Sequence, residues 1–369
     1  MRDYQIRKIL IDSKVKHNSL VKEIIKKNNN SKVYLIDLRD KSIISRFSFR
    51  EGKETLLLTE FPGDFIKPCP GTGGGYLCCG YLVINQPINC PMDCTYCILQ
   101  DYLGPSPLIL YVNFEKLIQE IDMLNKKADA EGRIFRIGNG ELSDSLALDY
   151  IGDFSSFFIR NFREKKNLIF EFKTKTDEVE KILRLSPAEN IVISWSLNPQ
   201  NIMEKEELFT ATLERRIKAA KLVQERGFKV GFHFDPLIFY PEWQTGYRKL
   251  IENLFSSIDT SGIFWISLGA LRFPSSLKEL IKKRFPHSDI IYQEMIRGMD
   301  GKLRYIKPLR IKIFREIYRL IKEAAPQVFC YFCMESPDVW EKVMGFSPSS
   351  NLHFQSIFEN YCKEKMKKF

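Results

Sequence analysis

The chain has 369 residues, room for one large domain or two ordinary ones, and its 44% hydrophobic and 28% charged residues exclude disorder for most of that length. Lys and Arg exceed Asp and Glu by 56 to 46, giving a net charge of +10. No run of about 18 uncharged apolar residues occurs and the first residues lack the apolar core of a signal peptide, so the expected location is the cytoplasm, away from membranes, as a monomer.

Residues 1–66 read as a small basic accessory segment with a helical stretch over 20–27 and a strand over 32–37. From residue 67 to 272, short β-branched or aromatic runs alternate with helical patterns. The spacing predicts strands over 81–84, 134–137, 168–172, 191–196, 230–234 and 264–268. Helices are predicted over 114–127, 145–162, 177–185, 208–225 and 246–257. Six such units make an α/β fold, a partial (β/α)6 TIM-like barrel, with its site at the carboxyl ends of the strands. Residues 273–369 read as a C-terminal extension: a turn between strand-like residues over 298–305, a helix over 309–324, a strand over 328–333, a helix over 338–344 and a solvated lysine-rich tail over 363–368.

The sequence INCPMDCTYCILQ places Cys90, Cys94 and Cys97 at C-x3-C-x2-C spacing after a predicted strand. Three thiolates on one compact loop can ligate three irons of a [4Fe–4S] cluster and leave the fourth iron open. A zinc site would need a fourth protein ligand and usually pairs its cysteines symmetrically. Nine cysteines, three of them crowded here, also read better as metal ligands than as a disulfide framework.

This spacing resembles the signature of the radical S-adenosylmethionine superfamily. More of the chain, from about residue 67 to 345, resembles the spore photoproduct lyase family of DNA repair enzymes. The segments carrying this resemblance are CTYCILQDYLG, SDSLALDYIG, FKTKTDEVEKIL, ISWSLNPQ and CMESPDVWEKVMG, in that order. The resemblance implies two cofactors, a [4Fe–4S] cluster and S-adenosyl-L-methionine, and a 5′-deoxyadenosyl radical that abstracts hydrogen from a damaged pyrimidine. It also implies an electron donor such as flavodoxin or ferredoxin.

Residue by residue, it places Ser143, Asp144, Lys175 and Ser196 against S-adenosylmethionine, with Lys175 on the carboxylate. Asn139, Gly140 and Glu141 resemble the loop that meets the methionine ammonium. Tyr96 keeps an aromatic of the cluster loop, and with the three cysteines it completes the expected catalytic set. Asp235 stands near the expected adenosine, either binding ribose or purine or capping the next segment, and His233 reads as a hydrogen-bonded core residue.

Two departures from the family bear on chemistry. Glu141 stands where the family carries a hydrogen-donating cysteine, and Ile98 where it carries a tyrosine. A carboxylate O–H bond is too strong to give a hydrogen atom to a carbon radical. Cys69, Cys78, Cys79, Cys330 and Cys333 remain, as small buried hydrophobes, auxiliary ligands or the missing donor; Cys330 and Cys333 should point to opposite sides of a strand.

Between Arg297 and Lys322, nine basic residues meet only Asp300 and Glu316. Such a surplus suits nucleic acid, or equally a solvated helix face. Lys302, Arg304 and Tyr305 in the DGKLRY turn are the candidate nucleic-acid contacts, for phosphate binding, stacking and wedging. Two alternatives stand beside the lyase reading: a radical enzyme of the same fold acting on a peptide or small molecule, and a non-enzymatic metal-binding nucleic-acid protein.

Overall fold

The structure is a computed structural model that describes residues 4–39, 47–71 and 74–367. Lys368 of the expected tail lies outside the described residues.

All six predicted barrel strands form. They are Leu82–Ile84, Phe135–Gly138, Leu168–Thr174, Ile191–Ser196, Lys229–Leu237 and Ile263–Ala270. They pair in parallel and in chain order, extended at one edge by Cys330–Phe332 and at the other by the antiparallel Ile66–Pro68, which makes an eight-stranded sheet. These strands read as continuous apolar runs because helices cover one face and the opposite face lines the interior. Ile191–Ser196 is buried throughout, and Phe158, Phe162 and Phe170 stack at centroid distances of 4.5–4.8 Å where a helix meets the sheet.

The described strands of the N-terminal segment share a sheet with strands later in the chain. Lys32–Ile36, Lys8–Asp12 and Thr55–Thr59 form a parallel sheet that continues into Leu108–Tyr111 and Pro87–Ile88, the latter directly before the cluster loop. The predicted helix over 20–27 is Ser19–Lys27, capped by the Asn18 side chain on Leu20 N at 2.9 Å.

Two predicted elements are corrected. The helix expected over 145–162 forms only as Phe154–Phe162, because Asp144 and Asp149 bind nearby backbone N–H groups and hold the intervening chain in turns. The helix expected from residue 208 begins at Leu213, since Glu207–Leu208 pairs with Asp93–Cys94. The tail over 363–368 has no buried residue among those described and is the end of a helix, Asn351–Lys367, which buries Phe354, Phe358 and Cys362 at four-residue spacing before it. Among the described residues no helix is long and apolar enough to cross a membrane.

Candidate active site

The cluster loop is pinned from several elements. Asn89 turns the chain with φ of 70°, accepts from Cys90 N at 2.8 Å and donates to the Ser106 carbonyl at 2.8 Å. Ser143 Oγ donates to the Asn89 carbonyl at 2.7 Å. Lys53 reaches in from the end of the short helix Phe49–Lys53, donating to the carbonyls of Cys90, at 2.9 Å, and Met92, with Asp93 at 3.5 Å. Arg284 clamps Asp93 at 2.9 Å, and Gln100 donates to the carbonyls of Thr95 at 2.6 Å and Cys94 at 3.3 Å.

Cys90 and Cys94 are buried and Cys97 half-buried, and none is in a disulfide. Burial pushes the Cys90 thiol up to about 12 and Cys94 well above its usual value. A bound metal ion is the kind of charge that would hold such thiols deprotonated. Three free thiols on one short loop are the donor chemistry of a cluster bound through three cysteines, although among the described residues no three His, Cys, Asp or Glu side chains are gathered to hold a single metal ion.

Glu207 ties this loop to the strand ends. Its backbone pairs with Cys94, and its carboxylate accepts from the Tyr96 hydroxyl, from Asn198 Nδ2 at 2.9 Å and from Arg216 Nη2 at 2.7 Å, with Lys175 Nζ at 3.4 Å. Burial raises the carboxyl, but Lys175 and Arg216 outweigh it and hold Glu207 at about 2. Burial keeps the Tyr96 phenol well above its usual range.

Among the described residues, Lys175 Nζ makes no hydrogen bond beyond that ion pair, and the buried Asn139 Oδ1 has no partner. Each follows the carboxyl end of a barrel strand, Leu168–Thr174 and Phe135–Gly138 respectively. Buried polar atoms normally find partners, so two orphans at strand ends suit a polar ligand.

The other expected cofactor residues divide into two groups. Asp144 accepts from Leu146 N, Ala147 N, Thr174 Oγ1 and Lys175 N at 2.7–3.0 Å, so its carboxylate is spent on fixing the backbone at Lys175. Ser196 is buried, and its carbonyl accepts from Arg216 Nη1 at 2.7 Å. Gly140 packs so tightly that a Cβ there would lie 2.8 Å from Ser145 Oγ and 2.9 Å from Lys173 Cβ.

Glu141 and Asp235 line a second cavity of about 60 Å³ together with Lys173, Cys69, Cys79 and Cys333. Arg272 holds Asp235 through two contacts of 3.0 and 3.1 Å; burial raises that carboxyl, yet the guanidinium keeps it well below the carboxylate range. The same Arg272 donates to Cys333 Sγ at 3.3 Å. Burial pushes the thiols of Cys69 and Cys333 up to about 12, so both keep their hydrogen. Cys79 goes the other way, down to about 6, through its hydrogen bond with Cys78 and the Arg136 guanidinium 3.0 Å from its sulfur. His233 pairs with buried Glu171 at 2.7 Å, and Cys330 is buried outside this cavity.

The expected turn is a hairpin, Met295–Arg297 against Leu303–Tyr305. Two of its candidate nucleic-acid residues are corrected. Arg304 is buried in an ion pair with Asp300 at 2.6 Å and over the Tyr76 ring at 3.9 Å, and Tyr305 is fully buried with its hydroxyl accepting from Phe239 N. Lys302 is half-buried, whereas Ile296, Arg297 and Met299 are exposed. Farther along, Arg310 of the basic stretch also turns inward, onto Glu335 at 2.9 Å.

The family model for spore photoproduct lyase matches residues 81–330, more than half of the chain. The chain belongs to the spore photoproduct lyase family. A spore photoproduct lyase of Bacillus subtilis is 27% identical over 240 residues, covering 64% of this chain and 68% of that one. One from Clostridium acetobutylicum is 23% identical over 266 residues, covering 70% and 76%. A solved structure of a spore photoproduct lyase mutant with bound AdoMet and dinucleoside spore photoproduct matches with a TM-score of 0.77 at 20% identity, covering 89% of this chain and 99% of that one, a likeness of fold.

Within this family member, several residues of the site escape sequence reading. Glu207 sits in a run, EKEEL, that looks like a solvated helix start, and Lys53 and Arg216 look like ordinary surface charges. The signal for Glu207 and Arg216 was weak: charges placed next to apolar positions that the helical period assigns to the core.

Proposed function

We propose that this chain is a radical S-adenosylmethionine enzyme that reverses a pyrimidine photoproduct in DNA; its family and its relatives carry the name spore photoproduct lyase. The observation carrying this reading is the pairing of three free loop thiols, two buried and one half-buried, with Lys175 Nζ, which makes no hydrogen bond beyond its ion pair with Glu207, and the unpartnered Asn139 Oδ1 at adjacent strand ends. Cys90, Cys94 and Cys97 would hold a [4Fe–4S] cluster, and Lys175 with Asn139 would take the carboxylate and ammonium of S-adenosylmethionine. When bound, these groups supply a 5′-deoxyadenosyl radical for hydrogen abstraction.

The chain's own residues orient and protect. Glu207 holds Lys175 and Tyr96 in one charge-assisted network, and Asp144 fixes the backbone that presents Lys175. Ser143 braces the entry to the cluster loop, and Ser196 with Gly140 shapes the floor. Asp235 acts through Arg272 on the neighbouring thiol cavity. Glu141 cannot return a hydrogen atom, but the protonated thiols of Cys69 and Cys333 share its cavity and can. Lys302 and the exposed hairpin residues Arg297 and Met299 are the DNA-facing set, with Met299 as the apolar wedge.

The test is anaerobic reconstitution with iron and sulfide, then incubation with dithionite, S-adenosylmethionine and dinucleoside spore photoproduct. Repair by wild type, absent in Cys94→Ala, is expected. Cleavage of the nucleotide without repair of this or any other pyrimidine photoproduct would overturn the DNA assignment.

A further inference from the structure

We propose that the groove between the N-terminal sheet and the barrel is the docking site of a small acidic one-electron carrier protein. This rests on the reading that Cys90, Cys94 and Cys97 hold an iron–sulfur cluster. The groove has a volume of about 1320 Å³ and includes Pro91 and Asp93 of the cluster loop in its lining.

The wall between this groove and the cluster thiols is thin. A small pocket bordered by Cys90 and Cys97 shares Phe49, Lys53, Asp93 and Arg284 with the groove. Those four form one packed unit: Lys53 and Arg284 both bind Asp93, and the Arg284 guanidinium lies 3.8 Å from the centroid of the Phe49 ring. An electron arriving in the groove therefore has one layer of side chains to cross before it reaches the sulfur ligands.

A second observation marks the same rim as a contact surface. Phe209 is 67% exposed and has φ of 61°, an uncommon backbone conformation for a bulky residue. It follows Glu207–Leu208, the strand hydrogen-bonded to Asp93–Cys94, so its position is rigidly tied to the cluster loop. An exposed aromatic on a fixed backbone beside charged neighbours has the make-up of an interface anchor.

The charge selects the partner. Six cationic side chains line the groove against three acidic ones, and Arg7, Arg50 and Lys218 stand at its exposed edge. That surplus steers an acidic protein. Duplex DNA fits less well, because no residue of the hairpin over 295–305 takes part in the lining. The step is a single electron transfer: the reduced carrier is oxidised by one electron, the cluster is reduced by one, and no bond forms or breaks.

The test uses the reconstituted full chain, wild type against Arg50→Glu/Lys218→Glu and against Phe209→Ser. Cluster reduction is followed by the bleaching of its visible absorbance, with either dithionite or flavodoxin hydroquinone as reductant. We expect the flavodoxin-driven rate to fall about tenfold in the charge-reversal variant at low salt, with the gap closing at high salt. The dithionite-driven rate should match wild type and so report intact folding. Equal flavodoxin rates with an intact dithionite arm would overturn this inference alone. So would a loss of salt-dependent duplex binding in the same variant with its flavodoxin rate unchanged, which would assign the groove to nucleic acid. A chain that takes up no cluster and is reduced by neither reagent would sink the proposed function and this inference with it.

Discussion

Glu207 and Lys175 face each other at 3.4 Å beneath the cluster loop, and the carboxylate also holds Arg216 at 2.7 Å. One buried and one half-buried cation thus depend on one anion. Replacing Glu207 by Gln leaves both uncompensated, a loss of about 3–5 kcal/mol for a broken buried pair. The acid dependence has a definite sign. The folded carboxyl is held at about 2 against a usual 4.5, so its contribution is complete above pH 4.5 and is lost as pH falls toward 2. Chemical unfolding of wild type and Glu207→Gln between pH 7 and 3 should show a large gap at neutral pH that narrows on the acid side; a constant gap would rule this account out.

The barrel was legible from sequence because its strands are buried on both faces and announce themselves as short apolar runs, such as Ile191–Ser196. The cluster loop was legible because three sulfur ligands must sit close in sequence to close around one group. Glu207 was not, since its role comes from a two-residue pairing with Asp93–Cys94, more than a hundred positions away, that no local period encodes. The reading of Arg304 and Tyr305 failed for a related reason. Basic and aromatic residues in a turn look the same whether they face solvent or an internal partner, and here Asp300, Tyr76 and the Phe239 amide supply the partners.

The Cys79 and Arg136 pair predicts a trend of the same sign in a more alkaline window. Cys79 is lowered to about 6 from a usual 9, chiefly by Cys78 and then by Arg136, so its stabilising effect is complete above pH 9 and lost as pH falls through 6. Stability measured across this window should rise with pH in wild type, and the slope should flatten in Cys79→Ala. Arg136→Met, which removes the cation lying among Tyr81, Trp265, Tyr331 and Phe358, should flatten it too while lowering stability at every pH.

Hydrogen return makes a labelling prediction. Thiol hydrogens exchange with solvent, so repair in heavy water by a thiol donor places deuterium in the product. Wild type should show that label, and Cys69→Ala/Cys333→Ala should lose most of it while still cleaving S-adenosylmethionine. Because both thiols share the cavity with Glu141, the two single variants separate their contributions. Undiminished label in the double variant would point to a donor outside this cavity.

The hairpin separates folding from binding. Arg304 is 2% exposed and its charge is matched by Asp300, so Arg304→Ala should destabilise the chain by about 3 kcal/mol through the uncompensated carboxylate. Arg297 is exposed and free of that constraint, and Lys302 only partly shielded. Substituting Arg297 and Lys302 by Ala should leave the unfolding midpoint within about 0.5 kcal/mol of wild type while lowering the slope of log affinity for duplex DNA against log salt by about one for each phosphate no longer neutralised. Met299→Ala should leave that slope alone, since an apolar wedge displaces no counterions, and should instead weaken capture of the lesion over undamaged duplex. Binding isotherms at several salt concentrations on damaged and undamaged duplexes distinguish the two effects. A salt slope unmoved by the double substitution would remove this face of the hairpin from the DNA interface.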